Sequence, residues 1–140
     1  MKSSRQVAIL ILSAGLLLSG CSPSDDRPRE EGYTGPTLPA RTAERGTWQE
    51  GPAEPRQHKP YPYDLYTHCG IKWLRFGGRW WVLDSVLPGA EQVQGEPPSR
   101  DSQILPGYVT LIGPDTVDFD AAGMPTLQFV PSEKEPPGCA

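Results

Sequence analysis

Short runs of alternating hydrophobic and polar residues recur along the chain from residue 61 onward. Alternation with a period of two predicts β-strands, because successive side chains of a strand point to opposite faces of the sheet. The runs are rich in aromatic and β-branched residues, and Gly, Pro or Asp residues bound most of them. They lie at Tyr61–Thr67, Ile71–Phe76, Arg79–Asp84, Tyr108–Ile112, Thr116–Asp120 and Thr126–Val130. We therefore predict an all-β domain over residues 61–140, a small antiparallel sandwich or half-open barrel of about five or six short strands.

The sharpest local signal is a β-hairpin around Gly77-Gly78. Two glycines tolerate the positive φ angles of a type I′ turn, so they predict a two-residue loop between two strands. Both faces of this hairpin are partly apolar, and we therefore expect it to lie in the centre of the sheet, covered on both sides. The predicted pairs are Phe76 with Arg79, Leu74 with Trp81 and Lys72 with Leu83 on one face, and Arg75 with Trp80, Trp73 with Val82 and Ile71 with Asp84 on the other.

The other runs predict an edge strand, a meander and a long loop. Pro62 lacks an amide hydrogen for a strand ladder, so Tyr61–Thr67 suits the edge of a sheet. Turn sequences follow Tyr108–Ile112 and Thr116–Asp120, which predicts a three-stranded meander at the end of the chain. Residues 85–106 are rich in Pro and Gly and predict a long loop, which is either functional or a tolerated insertion.

The first 21 residues carry the features of an export signal. Basic residues precede an uncharged, mostly apolar run at Val7–Leu18, which is too short to cross a membrane as a helix but suits a secretory signal. The sequence Leu18-Ser19-Gly20-Cys21 follows, and it resembles the lipobox of bacterial lipoproteins. The resemblance implies a signal peptide over residues 1–20, cleavage between Gly20 and Cys21, and a diacylglyceryl group on the Cys21 thiol.

Lipidation changes the expected location of the protein. Two acyl chains hold a protein stably on a membrane, whereas one chain binds it only reversibly. We therefore expect the mature chain on the cell membrane, anchored through Cys21 and facing the extracytoplasmic side. After Cys21, residues 22–60 are rich in Pro and mixed charges and have little apolar periodicity. We predict that residues 21–60 form a lipidated, disordered tether, and docking of the isolated Trp48 on the domain is the less favoured alternative.

Composition and charge argue against two broad classes of protein. The chain has 17 Pro and 15 Gly among 140 residues, which argues against a helical bundle, because these residues interrupt helices. The formal net charge is −4 at pH 7, which argues against a nucleic-acid partner, since nucleic-acid binders normally present a basic face. The expected partners are instead the membrane, through the lipid anchor, and a cell-envelope protein or glycan.

Two cysteines remain if Cys21 carries the lipid. Cys69 and Cys139 form an even pair in an exported protein, and a disulfide bond between them would close a loop of about 70 residues. The rival interpretation is a small hydrolase or a thiol or metal enzyme that uses His68 and Cys69. Adjacent strand residues point to opposite faces, so His68 is badly placed to deprotonate Cys69. No residues are spaced as metal ligands, and we predict no metal, no cofactor and no catalytic residue.

Acidic residues offer a weaker candidate site. Asp84, Asp115, Asp118 and Asp120 are interpreted as residues of turns and of the solvent-facing side of strands. A weak cation site made of the last three is disfavoured, because Ca²⁺ needs six to eight oxygen ligands in a formed loop.

Aromatic residues form the last candidate site. Trp73, Trp80, Trp81 and Tyr66 lie close together in the predicted strands, together with Tyr63. The favoured interpretation is core packing, with Arg75 or Arg79 stacked on an indole ring. The alternative is an exposed aromatic platform for a glycan or a peptide.

A second resemblance covers the chain from Tyr61 onward. The run Tyr63–Ile71, with its His-Cys-Gly sequence, and the run Phe76–Trp81, with Gly-Arg-Trp-Trp, resemble a small domain of uncharacterised actinobacterial exported proteins. This resemblance supports the origin and extent of the domain and implies no activity. The function we predict is a membrane-anchored, extracytoplasmic lipoprotein that acts as a non-catalytic binding or envelope-interaction module.

Overall fold

A computed structural model describes residues 32–68, 70–88, 92–97, 99 and 102–138. The predicted signal peptide, the lipidation site at Cys21 and the two cysteines of the predicted disulfide lie outside these residues. The described residues form no helix, and therefore no helix that could span a membrane is found among them. They form six strands: β1 (Pro60–Tyr66), β2 (Trp73–Phe76), β3 (Arg79–Leu87), β4 (Ile104–Gly113), β5 (Thr116–Ala121) and β6 (Thr126–Ser132).

All six strands belong to one antiparallel sheet, in the order β1-β4-β5-β6-β3-β2. The sheet curls into a nearly closed barrel, which confirms the predicted all-β class and its half-open barrel form. The β4-β5-β6 meander forms its centre, and β1 lies at one end, as Pro62 predicts. The expectation that the hairpin is central was wrong, because β2 is the strand at the other end of the sheet.

The hairpin itself has the predicted register. Phe76 pairs with Arg79, and the amide of Leu83 donates to the carbonyl oxygen of Lys72 at 2.8 Å. Gly77 and Gly78 both have positive φ angles, 60° and 75°, as the two-residue turn requires. The other predicted pairs seen in the ladder are Leu74 with Trp81, Arg75 with Trp80, and Trp73 with Val82.

The hydrophobic core fills the inside of the barrel. Its best buried members come from all six strands and alternate along their strands with residues of the outer face. The indole Nε1–H of Trp81, buried in this core, donates to the carbonyl oxygen of Phe76 at 2.9 Å, so its polar atom is satisfied. Side chains exposed to 2% or less include Leu65, Leu74, Phe76, Trp81, Val109, Val117, Phe119 and Phe129.

Residues 32–59 lie against the outside of the barrel. Leu38 forms a bridge with Val93, and the hydroxyl of Tyr108 donates to the carbonyl oxygen of Pro39 at 3.0 Å. Nη1 of Arg41 donates to Oδ1 of the buried Asp64 at 3.1 Å. The predicted disordered tether therefore does not describe residues 32–59. These contacts involve partners from β1, β4 and the β3–β4 connection, which composition within the segment could not reveal.

Candidate functional site

The barrel has a seam where its two terminal strands, β1 and β2, face each other. The side chain of Tyr63 in β1 spans this seam. Its hydroxyl donates a hydrogen bond to the carbonyl oxygen of Arg75 in β2 at 2.9 Å and accepts one from the Arg75 amide at 3.1 Å. One side chain thus joins the two strand edges at this point, in the place of a backbone ladder.

Burial keeps the Tyr63 hydroxyl protonated. Burial raises the pKa of this phenol from 10.0 to about 12, and the hydrogen bond from the Arg75 backbone offsets part of that increase. A buried phenolate would be poorly solvated, so the neutral form is favoured. At neutral pH Tyr63 can therefore donate and accept at the same time.

A groove of about 560 Å³ lies at this seam, and we call it the seam groove. Four partly exposed aromatic side chains line it. The rings of Trp48 and Tyr66 are 6.3 Å apart and are 45% and 48% exposed, while Trp73 and Trp80 are half-buried. Besides these four aromatic residues, its lining includes Glu50, Tyr63, Lys72, Arg75 and the C-terminal residues Pro136–Gly138.

Charged groups of both signs border the aromatic surface. The guanidinium carbon of Arg75 lies 5.8 Å from the centre of the Trp80 ring, within the range of a cation–π contact. Glu50 and Lys72 are exposed and line the same groove. The groove therefore offers an apolar floor with polar groups around it, the usual composition of a ligand site.

The structure brings three of the four predicted platform residues together and separates the fourth. Tyr66, Trp73 and Trp80 line the seam groove, whereas Trp81 lies in the core and is only 1% exposed. The guanidinium carbon of Arg79 lies 4.5 Å from the centre of the Trp81 ring. The predicted stacking of arginine on indole is thus confirmed for both tryptophans of this pair.

The sequence interpretation missed several parts of the groove. Trp48 and Glu50 come from the segment assigned to the tether, and Pro136–Gly138 come from the end of the chain. The one local signal for the contribution of residues 48–50 was an isolated tryptophan in a polar segment, since burial of such a side chain against apolar residues is favourable. The C-terminal contribution has no local signal, because it depends on where β6 ends in the barrel.

The structure describes only one residue, His68, of the pair on which the enzymatic alternative depends. His68 is exposed, and its ring lies 5.9 Å from the ring of Tyr66. Cys69 lies outside the described residues. Among the residues that the structure describes, no three His, Cys, Asp or Glu side chains are grouped so that they could hold a metal ion.

Two of the acidic candidates are buried, which corrects their assignment to the solvent-facing side. Asp118 and Asp120 are 1% and 2% exposed, whereas Asp84 and Asp115 are exposed as expected. The buried pair lies on the outer face of β5, beside a cavity of about 190 Å³. Gly32, Tyr33, Thr34, Leu87 and Gln92 line the same cavity, so neighbouring segments cover the two carboxylates.

Asp120 has an unusual environment for a carboxylate. Its Oδ1 accepts a hydrogen bond from the hydroxyl of Thr126, and its buried Oδ2 has no hydrogen-bond partner among the described residues. Burial raises the pKa of this carboxyl, and the Thr126 hydrogen bond offsets the increase in part. The charged form of Asp120 is therefore disfavoured in the folded protein.

Comparison of the chain with protein-family models, with curated proteins and with solved structures found no match. The two family resemblances therefore rest on their sequence motifs, and function has to be argued from the groove itself.

Proposed function

We propose that the protein is a lipid-anchored, extracytoplasmic binding module without catalytic activity, and that its seam groove holds a component of the cell envelope. The observation that carries this proposal is the gathering of Trp48, Tyr66, Trp73 and Trp80 around one open groove. Half-exposed aromatic rings around a concave volume provide large contact areas at low entropic cost, which suits binding. The charged groups at the border supply the polar contacts that orient a ligand.

The N-terminal sequence supports the membrane location. The apolar run Val7–Leu18 and the box that ends at Cys21 have the length and order of a lipoprotein signal. The mature chain is more acidic than the full chain, because cleavage removes the basic residues of the signal. An acidic chain is not attracted to anionic lipids, so the acyl chains on Cys21 have to provide the anchorage.

The binding function is tested by cross-linking in the native membrane. A photo-reactive phenylalanine replaces Tyr66, which is exposed and lines the groove, in the full-length protein. The matched control carries the same group at Val86, which is 50% exposed and lies outside the groove lining. Irradiation is expected to give one defined envelope adduct at position 66 that the control lacks. No adduct, or the same adducts at both positions, would refute the binding function.

The anchor is tested separately by mass spectrometry of the membrane-extracted protein. The expected mass is that of a chain beginning at Cys21 with a diacylglyceryl group attached. Replacement of this residue, Cys21→Ser, is expected to release the protein from the membrane fraction. A full-length or unlipidated mass in the membrane fraction would refute the anchor and leave the groove unaffected.

A further inference from the structure

We propose that the seam groove recognises an extended, proline-containing segment of a partner protein in the envelope. This inference rests on the binding function proposed above and names the class of its ligand. It depends on three observations at the groove: the position of the chain's own C-terminal prolines, the exposed edge of β2, and the signs of the charges at the border.

The C-terminal residues show that prolines can lie beside these aromatic rings. After β6 ends, the Ser132 hydroxyl donates to the carbonyl oxygen of Lys134 and accepts from its amide, at 2.9 and 3.1 Å. This turn redirects the chain, and Pro136–Gly138 then line the groove. Pro136 is half-buried and Pro137 is exposed, so this tail leaves aromatic surface accessible.

Proline suits this surface for a physical reason. A proline segment is extended before it binds, because the ring fixes φ, and it therefore loses little conformational entropy on docking. Grooves lined by aromatic rings are a recurring site for such segments. In the seam groove, Tyr66, Trp73 and Trp80 provide these rings.

The edge of β2 offers backbone hydrogen bonds to an extended ligand. The amide of Leu83 donates to the carbonyl oxygen of Lys72, so Lys72 faces β3 in the ladder. Backbone groups of successive residues in an antiparallel strand point to opposite sides. The amide and carbonyl of Trp73 therefore point away from β3, toward the seam. A peptide that lies along the groove can form hydrogen bonds with this amide and carbonyl. A branched glycan matches the regular spacing of a strand edge less well.

The charges at the border favour an acidic residue next to the prolines. Lys72 and Arg75 are exposed at the groove, and Glu50 is the one acidic residue among the described residues that line it. In the chain's own tail, Glu135 precedes Pro136. The sequence Glu-Pro-Pro is accordingly the simplest model of the recognised segment.

The test is a titration of the full-length protein with a peptide of the sequence of residues 133–138, followed by tryptophan fluorescence and calorimetry. The control peptide carries alanine at both proline positions. Two forms of the protein are titrated, the unaltered chain and a Pro136→Ser, Pro137→Ser variant, so that the tail cannot mask the groove. Saturable binding of the proline peptide to either form, at least tenfold tighter than the alanine peptide, is the expected result.

Variants of the groove locate the binding. Tyr66→Ala and Trp80→Ala are each expected to weaken binding about tenfold, since aromatic residues dominate binding energy at such sites. Val86→Ala, an exposed position outside the groove, is expected to bind as the unaltered chain does. Thermal unfolding of each variant checks that the fold is retained, and the substitution at the exposed Tyr66 is decisive if Trp80→Ala does not fold.

Two outcomes would overturn the proposal. The first is an absence of saturable binding at millimolar peptide in both forms of the protein. The second is equal binding of the proline and alanine peptides. A trimer of N-acetylglucosamine is titrated in parallel, and its binding in place of the peptide would assign the groove to glycans. An envelope adduct at position 66 would in that case still support the binding function.

Discussion

The hydroxyl of Tyr63 is bonded to both backbone polar groups of Arg75, donating to the carbonyl at 2.9 Å and accepting from the amide at 3.1 Å. These two residues belong to the terminal strands of the sheet, β1 and β2. One phenol thus holds the seam of the barrel together at the place where the groove opens. The stability of the barrel and the shape of the proposed ligand site consequently depend on the same contact.

Tyr63→Phe is expected to destabilise the protein by about 1 to 3 kcal/mol, because it leaves the Arg75 amide and carbonyl without their partner. Urea denaturation measures this change. Tyr61→Phe is the matched control, since the Tyr61 hydroxyl accepts one exposed hydrogen bond, from the amide of Arg56. Equal stability of the Tyr63→Phe variant and the unaltered protein would show that the seam closes without this bond.

The stability of the protein at alkaline pH tests the Tyr63 contact in a second way. The pKa of Tyr63 rises from 10.0 to about 12 on folding, so the neutral phenol stabilises the fold below pH 10. This stabilisation is lost as the pH rises through about 12. The free energy of unfolding, measured by urea denaturation, is therefore expected to fall less with rising pH in the Tyr63→Phe variant than in the unaltered protein.

Arg41→Gln is expected to cost about 3 kcal/mol, because it removes the charged partner of the buried Asp64. The arginine also donates to the carbonyl oxygens of Tyr63 and Gly107, both at 2.8 Å. It therefore attaches residues 32–59 to the barrel, and limited proteolysis of the variant should cut that segment faster. Arg45→Gln, at an exposed position of the same segment, should change stability by less than about 0.5 kcal/mol. Similar cleavage of the two variants would argue against this role of Arg41.

Asp120→Asn is expected to stabilise the protein at neutral pH. Burial raises the pKa of Asp120 above its ordinary value of 3.8. The stabilisation from the protonated carboxyl is complete below that value and is lost as the pH rises through the folded-state pKa. Asparagine does not ionise, so the variant should lose less stability between pH 4 and neutrality than the unaltered protein, as denaturation at several pH values would show.

Asp115→Asn is the control for Asp120. Asp115 has a side chain that is 75% exposed and forms a surface ion pair with Arg79 at 3.2 Å. Exposed pairs contribute little, and we expect a change of less than about 0.5 kcal/mol at any of these pH values. A loss of stability between pH 4 and neutrality that is as large in Asp120→Asn as in the unaltered protein would contradict this role of Asp120.

Cys69 and Cys139 are expected to resist alkylation in denaturant until a reductant is added. The pairing is predicted from the sequence, since both cysteines lie outside the residues that the structure describes. A bond closing a loop of about 70 residues would stabilise the fold by about 4 kcal/mol in the chain-entropy model. Intact mass after alkylation, with and without reductant, measures the number of free thiols. Two alkylated cysteines without reductant would refute the bond.

The local features of the barrel could be predicted from sequence because they depend on neighbouring residues. The Gly77-Gly78 turn sets the register of the hairpin, and the alternating pattern sets the strands of the meander. The stacking of Arg75 on Trp80 follows from the same register, since the two residues face each other across the ladder.

Packing against the other strands decides which face of the β2–β3 hairpin points into the core. Leu74 and Trp81 point into the core, while Trp73, Arg75 and Trp80 lie on the other face of the hairpin. Both faces contain tryptophan, so hydrophobicity alone did not decide between them. Both faces also carry a charged residue, Arg79 on the first and Arg75 on the second, so charge did not decide between them either.

The amino-acid sequence by itself determined the presence and order of the six strands, the turn of the hairpin and the edge position of β1, because each is set by local backbone preferences. It did not determine every boundary, since β3 runs to Leu87 and β4 begins at Ile104, inside the predicted loop. Only the tertiary structure decided that β2 ends the sheet, that Asp118 and Asp120 are buried, and that Trp48 and Pro136–Gly138 meet at one groove. These features join residues that are far apart in the chain. Their placement depends on the closure of the barrel, in which β1 pairs with β4 and β3 with β6.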